Sequence, residues 1–346
     1  MASADTPPTP KTHKKKRILS GMRPTGKMHL GNYYGALYNW LRLQEEYQCF
    51  YFVADWHALT TEYDAPREIG GYIKEMVLDW LSVGLDPKKS TIFVQSAIPE
   101  HAELYLIFGM FTPVPRLERN PTIKDEIQAR GFGRDIPAGF LCYPAAQAAD
   151  ITAFKATVVP VGEDQAPLIE QTNEIVRRIN RQTGRDVLLE AQALIPRTGR
   201  LPGIDGKSKM SKSQGNAIPL TAPPDAISEA VKRMYTDPGH LRASDPGKIE
   251  GNVVFTYLDA FDEDQAAVAA LKEHYQRGGL GDAAVKRRLN DVLQALLAPI
   301  RERRAAIARD PGYVLEILRT GTAAAREITQ ATLSEVRDAL GLFHLS

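Results

Sequence analysis

The sequence predicts an α/β protein: a doubly wound, Rossmann-like parallel sheet followed by an all-helical C-terminal region. Three observations predict it. Short apolar runs of strand type alternate with helical stretches through the first half of the chain, the grammar of a parallel sheet with covering helices. After about residue 221 strand-type runs stop and helical periodicity takes over. The length, 346 residues, suits two domains, or one large α/β domain with a helical appendage.

The elements follow in order. Residues 1–17 hold Pro7, Pro8, Pro10 and the basic run Lys14, Lys15, Lys16 and Arg17. Such a stretch cannot build a core and is expected to be a disordered, solvated tail rather than a basic arm that contacts nucleic acid. A strand is expected at about Ile18–Met22, then a turn at Pro24, Thr25 and Gly26. A helix from about His29 to Tyr47 repeats Leu30, Tyr33, Tyr34, Leu37, Tyr38 and Leu41 near the 3.6 period. Cys49–Ala54 and Thr91–Gln95 read as strands flanking a helix at about Arg67–Val83. The stretch 100–156 reads as a helical insertion broken by Pro113, Pro115, Pro121, Pro137 and Pro144. Thr157–Val161 resumes the sheet, and a helix runs from about Gln165 to Arg181. Thr198–Gln214 is rich in Gly, Ser and Lys and reads as a mobile loop. These segments make a catalytic domain over 18–220, with 221–346 as a second, helical domain. There Val285, Leu289, Val292, Leu293, Leu296 and Ile300 form one apolar stripe, with Pro299 as a kink. Lys286, Arg287, Arg288, Arg301, Arg303 and Arg304 lie around it, and charge alone does not separate a solvated face from a phosphate-binding one.

Composition narrows the class. Hydrophobic residues make up 43% and charged residues 25%, with a formal net charge of +1, so any nucleic-acid surface must come from local clustering. Two cysteines, Cys49 and Cys142, form no CxxC pair. Neither a zinc nor an iron–sulfur site is expected, and no other metal ligand set stands out. No apolar run approaches the roughly 20 residues of a membrane span, and no apolar core follows the basic run as in a signal peptide. The expected location is the cytoplasm.

Two constellations carry chemistry. The first is Pro24-Thr25-Gly26-Lys27-Met28-His29-Leu30-Gly31-Asn32, between the first strand and first helix. Ligands bind at that end of the strands in a doubly wound sheet, and helix N-terminal amides favour anions. His29 adds a donor for phosphate oxygens, and Gly31 lets a nucleobase or ribose come against the backbone. Gly21 to Lys27 nearly spells a P-loop, but Met28 stands where a Ser or Thr would hold magnesium, so that reading fails. The second constellation is Lys207-Ser208-Lys209-Met210-Ser211-Lys212-Ser213-Gln214-Gly215-Asn216. Lysines on a flexible loop can meet an anionic phosphate as negative charge builds.

His29–Asn32 resembles the HIGH motif of class I aminoacyl-tRNA synthetases, and Lys209-Met210-Ser211-Lys212-Ser213 is similar to their KMSKS motif, intact. Further strings resemble the bacterial tryptophanyl branch: Ser20–Leu37, Phe52–Thr60, Tyr143-Pro144 with Gln147-Ala148-Ala149-Asp150-Ile151, and Val159–Gln165. The resemblance covers nearly everything after residue 17.

The resemblance implies a role for each matching residue. His29, Asn32, Lys209 and Lys212 would be catalytic. Arg23, Thr25, Gly31, Asn32, Gly162, Asp164, Lys209, Met210, Ser211 and Lys212 would bind ATP, with Asp164 on the ribose and Gly162 giving it room. Asp150 would accept the indole N–H of tryptophan, and Tyr143 and Gln165 would hold its α-amino group. Gln147 would line that pocket where relatives often carry Met. His57 would line it too, or be a satisfied structural histidine. Asp150 as a turn cap and Tyr143 as ordinary core are the bland alternatives. One departure stands out: Lys124-Asp125 is followed by Glu126 where many relatives carry a basic residue, and Lys124, Arg130 or Arg134 would have to substitute. The implied activity is ATP-dependent activation of L-tryptophan and its transfer to tRNA(Trp), with Mg²⁺ beside ATP, the helical domain on the tRNA anticodon end, and a homodimer. Rivals are a tyrosine enzyme, a small-molecule nucleotidyltransferase and a non-catalytic paralogue.

Overall fold

The computed structural model describes residues 15–343 except 63, 65, 197–199, 212 and 213. The tail ahead of Lys15 lies outside the described residues.

Strand β1 (Arg17–Met22) enters the centre of a five-stranded sheet. Helix α1 (Leu30–Asn32) runs through a π-turn (Tyr33–Leu37) into α2 (Tyr38–Glu46), and β2 (Gln48–Val53) follows. Periodicity marks this helix but cannot register one widened turn, a feature that often marks functional sites. Next come α3 (Asp55–Leu59), α4 (Pro66–Val83) and β3 (Ser90–Val94). The insertion is α5 (Glu100–Phe111), α6 (Val114–Glu118), α7 (Pro121–Arg130), α8 (Ala138–Leu141) and α9 (Tyr143–Ala153). Proline sits at the start of α6, α7 and α9, where its missing N–H costs nothing. The core closes with β4 (Val158–Pro160), α10 (Ala166–Thr183) and β5 (Gln192–Leu194). The sequence reading has no β5: three residues with a half-open burial pattern carry no apolar run.

All pairings are parallel and the order is β3-β2-β1-β4-β5. Chain direction through the sheet reverses between β1 and β4, and ligands bind beyond the strand ends at such a switch point. Alternate residues feed two cores, one on each face. Ile18, Tyr51 and Ile92 face one, with Trp40 and Trp80; Leu19, Phe50 and Phe93 face the other, with Phe154. Burial on both faces explains why β2 reads as an unbroken apolar run rather than an alternation.

After the lysine loop the chain is helical: α11 (Pro224–Lys232), α12 (Val253–Phe261), α13 (Gln265–Arg277), α14 (Asp282–Ile307) and α15 (Pro311–Ala339). Side chains of Asn252, Asp264 and Asp310 cap α12, α13 and α15. Helix α14 continues through Pro299, and its stripe is buried at Val285, Leu289, Leu293 and Ile300, with Val292 and Leu296 packed at the margin. The basic residues around it are mostly engaged inside the protein. Arg288 pairs with Asp262 at 2.8 Å, Arg304 with Asp79 at 2.7 Å, and Arg301 and Arg303 donate to the Ala222 and Ser82 carbonyls. Arg287 remains exposed.

Helix α15 returns to the sheet. Its Val314 and Leu318 lie in one core, and Ala325, Leu333 and Val336 in the other, so it straps over the edge strand β3. Gly321 marks the crossing: a Cβ there would stand 1.9 Å from the Ile92 carbonyl oxygen. Covering an edge strand with a helix removes a template for unwanted pairing. Among the described residues no helix is long and apolar enough to cross a membrane.

Candidate active site

The two motifs meet beyond the carboxyl end of β1. His29 caps α1: its Nδ1 accepts from the Gly31 amide at 3.1 Å, and Asn32 Oδ1 accepts from the His29 amide at 3.1 Å, a reciprocal capping box. A backbone amide only donates, so Nδ1 presents its lone pair and the neutral ring carries its proton on Nε2. Asn32, its oxygen used by the cap, keeps an amide donor.

The segment after the lysine loop runs beside this turn. Leu30 donates to the Ile218 carbonyl at 2.9 Å, Leu220 to the Met28 carbonyl at 3.0 Å, and His29 bridges Pro219. Met210 is buried, its sulfur 3.2 Å from the Gly31 amide. A Cβ on Gly31 would meet the His29 ring at 3.0 Å and Met210 Cβ at 3.3 Å. Gly31 is therefore needed first for contact between the motifs, a closer claim on that space than the nucleotide expected from sequence.

Asn216 anchors the loop. It is 2% exposed, its Oδ1 accepts from the Ser211 amide at 2.8 Å, and its Nδ2 donates to Asp205 at 3.1 Å. The described part of the expected mobile loop is thus fastened at Met210 and Asn216. Lys212 and Ser213 lie outside the described residues, as do 198 and 199.

A cavity of about 680 Å³ lies between the motifs. Arg23, Thr25, His29, Gly31 and Asn32 line one side, and Arg200, Lys209, Met210 and Ser211 the other, with Gly35 of the π-turn, Arg130 and Glu62 completing it. Among the described residues of the lining, four permanent cations against one carboxylate make a site for a polyanion. Of the three cations considered as substitutes at Glu126, Arg130 lines this cavity; its guanidinium stands 5.8 Å from the centre of the Phe140 ring.

A second cavity, about 370 Å³, sits between the ends of β1 and β4 at the switch point. All five residues expected at the amino-acid subsite line it: His57, Tyr143, Gln147, Asp150 and Gln165. Arg23 lines both cavities. Asp150, on α9, is 1% exposed. Its Oδ2 accepts from His57 Nε2 at 2.7 Å and Gln95 Nε2 at 2.8 Å, and its Oδ1 lies 2.9 Å from His101 Nδ1. The His101 ring stands edge-on to Phe93 and Phe154. Burial alone would push the Asp150 carboxyl up, but the close approach of the His101 and His57 rings outweighs it and holds it below the usual carboxylate range. Asp150 thus belongs to a buried network, not a turn cap, and His57 both lines the cavity and holds Asp150. Tyr143 lies in the cavity wall, its hydroxyl raised above the usual range by burial first and then by the Glu126 charge.

Gly162 and Asp164 are in neither cavity wall. Asp164 pairs with Arg200 at 2.8 Å and accepts from Gln165 Nε2 at 3.1 Å. Burial opposes its charge, but Gln165 and Arg200 hold its carboxyl below the usual range. A Cβ on Gly162 would stand 2.6 Å from Asp164 Oδ1, so the room at this glycine is taken by the neighbouring carboxylate. Sequence reasoning missed Gln95 and His101 as partners of Asp150. Gln95 directly follows β3, so the strand-end rule could have flagged it; His101 sits in no recognisable string.

The fold and the paired cavities define a Rossmann-like protein with a basic cavity suited to a polyanion beside a smaller one organised around a buried carboxylate. The model of one family, tRNA synthetases class I (W and Y), matches residues 11–298. A tryptophan–tRNA ligase of Streptococcus pyogenes is 54% identical over 335 residues, covering 95% of this chain and 98% of that one. One of Clostridium longisporum is 53% identical, covering 95% and 97%. The crystal structure of tryptophanyl-tRNA synthetase from Campylobacter jejuni complexed with ADP and tryptophan superposes with a TM-score of 0.82 at 32% identity, covering 94% of this chain and 100% of that one. The chain belongs to the class I tRNA synthetases of the W and Y family.

Proposed function

We infer that the chain activates L-tryptophan with ATP and transfers it to tRNA(Trp), the reaction of a tryptophan–tRNA ligase. The observation that carries this reading is the shared wall: Arg23 joins a basic cavity to one organised around a buried carboxylate. Relatives at 54% identity over almost the whole chain carry the same activity in their names.

The substrate carboxylate attacks the α-phosphorus of ATP. A carboxylate oxygen–phosphorus bond forms, the bond to the bridging oxygen breaks, and pyrophosphate leaves. A ribose hydroxyl of the tRNA end then attacks the activated carbonyl and releases AMP. Neither step needs a covalent enzyme intermediate. His29 and Asn32 donate to phosphate oxygens, and Lys209, with Lys212, meets the pyrophosphate side as charge develops there. Thr25, Gly31, Met210 and Ser211 shape the triphosphate cavity. Asp164 takes the ribose hydroxyls by exchanging them for Arg200, with Gly162 holding the turn. Asp150 accepts the indole N–H, Tyr143 and Gln165 accept from the α-amino group, and Gln147 and His57 bound the ring. Glu62, at the wall of the triphosphate cavity, would supply a carboxylate to Mg²⁺ carried in with the phosphates. When bound, the ion neutralises phosphate charge.

Residues after about 220 form the unit that holds the anticodon end of tRNA. A homodimer is favoured by α5, which buries Leu104 and Phe108 yet leaves Leu106 and Met110 60% and 74% exposed, next to exposed Val114. A helix apolar on both sides calls for a partner. The reaction would run in the cytoplasm. Charging of purified tRNA with labelled tryptophan tests the reading: the label should become acid-precipitable on tRNA(Trp) alone, and its absence would refute it.

A further inference from the structure

We propose that Glu126 is the carboxylate that receives the α-ammonium group of the amino-acid substrate. This rests on the reading that the second cavity holds tryptophan. Two acidic side chains line that cavity, Asp150 and Glu126, and they are differently placed. Asp150 is buried, its oxygens met by His57, Gln95 and His101, so its charge is answered inside the protein. Glu126, half-buried on α7, has no lysine, arginine or histidine within ion-pair distance among the described residues. It lies beside the Tyr143 hydroxyl in the same wall, and that hydroxyl also feels Arg23 and Asp164. Tyrosine has a single proton to donate, so lone pairs of the Glu126 carboxylate remain for a ligand.

The substrate's own charges set its orientation. Its carboxylate is the attacking group and must reach the seam between the cavities, where Arg23 stands. The ammonium is bonded to the adjacent carbon, so it lies near the same seam, while the ring goes to the Asp150 end. Tyr143, Gln147 and Gln165 offer only neutral oxygens. A cation drawn from water into a half-closed cleft needs a counter-charge as well as acceptors. Glu126 is the cavity-lining carboxylate on that side. The basic residue that many relatives carry here would repel an ammonium; in this chain Arg130 lines the nucleotide cavity instead, which releases position 126 for the other substrate.

Two truncated ligands separate the charges: tryptamine keeps the ammonium without the carboxylate, and indole-3-propionate keeps the carboxylate without the ammonium. Each is titrated as a competitor of tryptophan in ATP–pyrophosphate exchange with wild type, Glu126→Gln and Glu126→Asp. For Glu126→Gln, the tryptamine inhibition constant and the KM for tryptophan should rise roughly tenfold or more, the size of a charge-assisted bond. Indole-3-propionate and the KM for ATP should hold within about twofold, and Glu126→Asp, which keeps the charge, should recover most of the tryptamine affinity. Unchanged tryptamine binding in Glu126→Gln, equal losses in Gln and Asp variants, or a rise confined to the ATP KM would overturn the assignment. A wild-type protein that gives no tryptophan-dependent exchange would instead overturn the reading on which it rests.

Discussion

The basic cavity between the two motifs keeps its charges in the open, whereas the cavity around Asp150 closes its charge away. Arg200 and Asp164, paired beside the first, are 70% and 51% exposed at their side chains. Asp150, at the end of the second, is 1% exposed and touched by three polar side chains. The tasks explain the difference. A triphosphate enters and leaves with its charge, so the cations that meet it must part easily from resting partners, and an exposed pair costs only about 0–1 kcal/mol to break. An indole is a larger, fused ring than a phenyl and adds one N–H donor, and an acceptor discriminates on that donor only if it is held in place and suffers when unmatched. Burial among His57, Gln95 and His101 supplies that fixity.

The largest expected effect is on the open side. Lys209→Ala should lower kcat for tryptophan activation by about 10²–10³-fold, the loss of one donor to developing charge, with the KM for tryptophan nearly unchanged. Exchange kinetics check this; a rise in the tryptophan KM at constant kcat would place Lys209 on the wrong substrate. On the closed side, Asp150→Asn should weaken kcat/KM for tryptophan by about 1.5–3 kcal/mol and that for phenylalanine far less. A proportionate loss for both would make Asp150 a purely structural residue.

The strap gives a third handle, because α15 crosses β3 just before Gln95. Gly321→Ala drives a Cβ into the Ile92 carbonyl and should cost about 1–3 kcal/mol in thermal or denaturant unfolding. It should also raise the KM for tryptophan more than that for ATP. Equal effects on both would remove the link between this strand and the amino-acid cavity.

These handles also show what could be read from sequence. The apolar runs of β1, β2 and β3 and the strings at 29–32 and 209–213 are contiguous, so local order displays them. Tyr143, Gln147 and Asp150, the residues expected at the subsite, share one helix, α9, so their string is equally visible. The network around Asp150 was not, because His57, Gln95 and His101 come from three separate segments that only the folded sheet edge brings together. Gly321 carries no sequence signal either, since a glycine inside a helix does not announce which carbonyl it faces. Strand β5 was hidden for a different reason: three edge residues are too few to make a pattern.

Acid sharpens the contrast further. The Asp150 carboxyl is held below its usual range, so its stabilising contribution is complete above the unfolded value of about 3.9 and is lost as pH falls toward the folded value. The difference in unfolding free energy between wild type and Asp150→Asn should be level from about pH 5 to 7 and shrink below about pH 4; a difference that grew on acidification would reverse the sign of the argument. The smallest effect belongs to the open side: Arg200→Ala should change stability by less than about 1 kcal/mol while altering the KM for ATP.

The most direct test of the account is ATP–pyrophosphate exchange by the intact chain, measured with each of the twenty amino acids in turn. A site that reads indole through a buried acceptor and answers triphosphate with open cations predicts exchange with tryptophan far above every other amino acid, tyrosine and phenylalanine included. Exchange driven equally well by tyrosine, or by no amino acid at all, would contradict it.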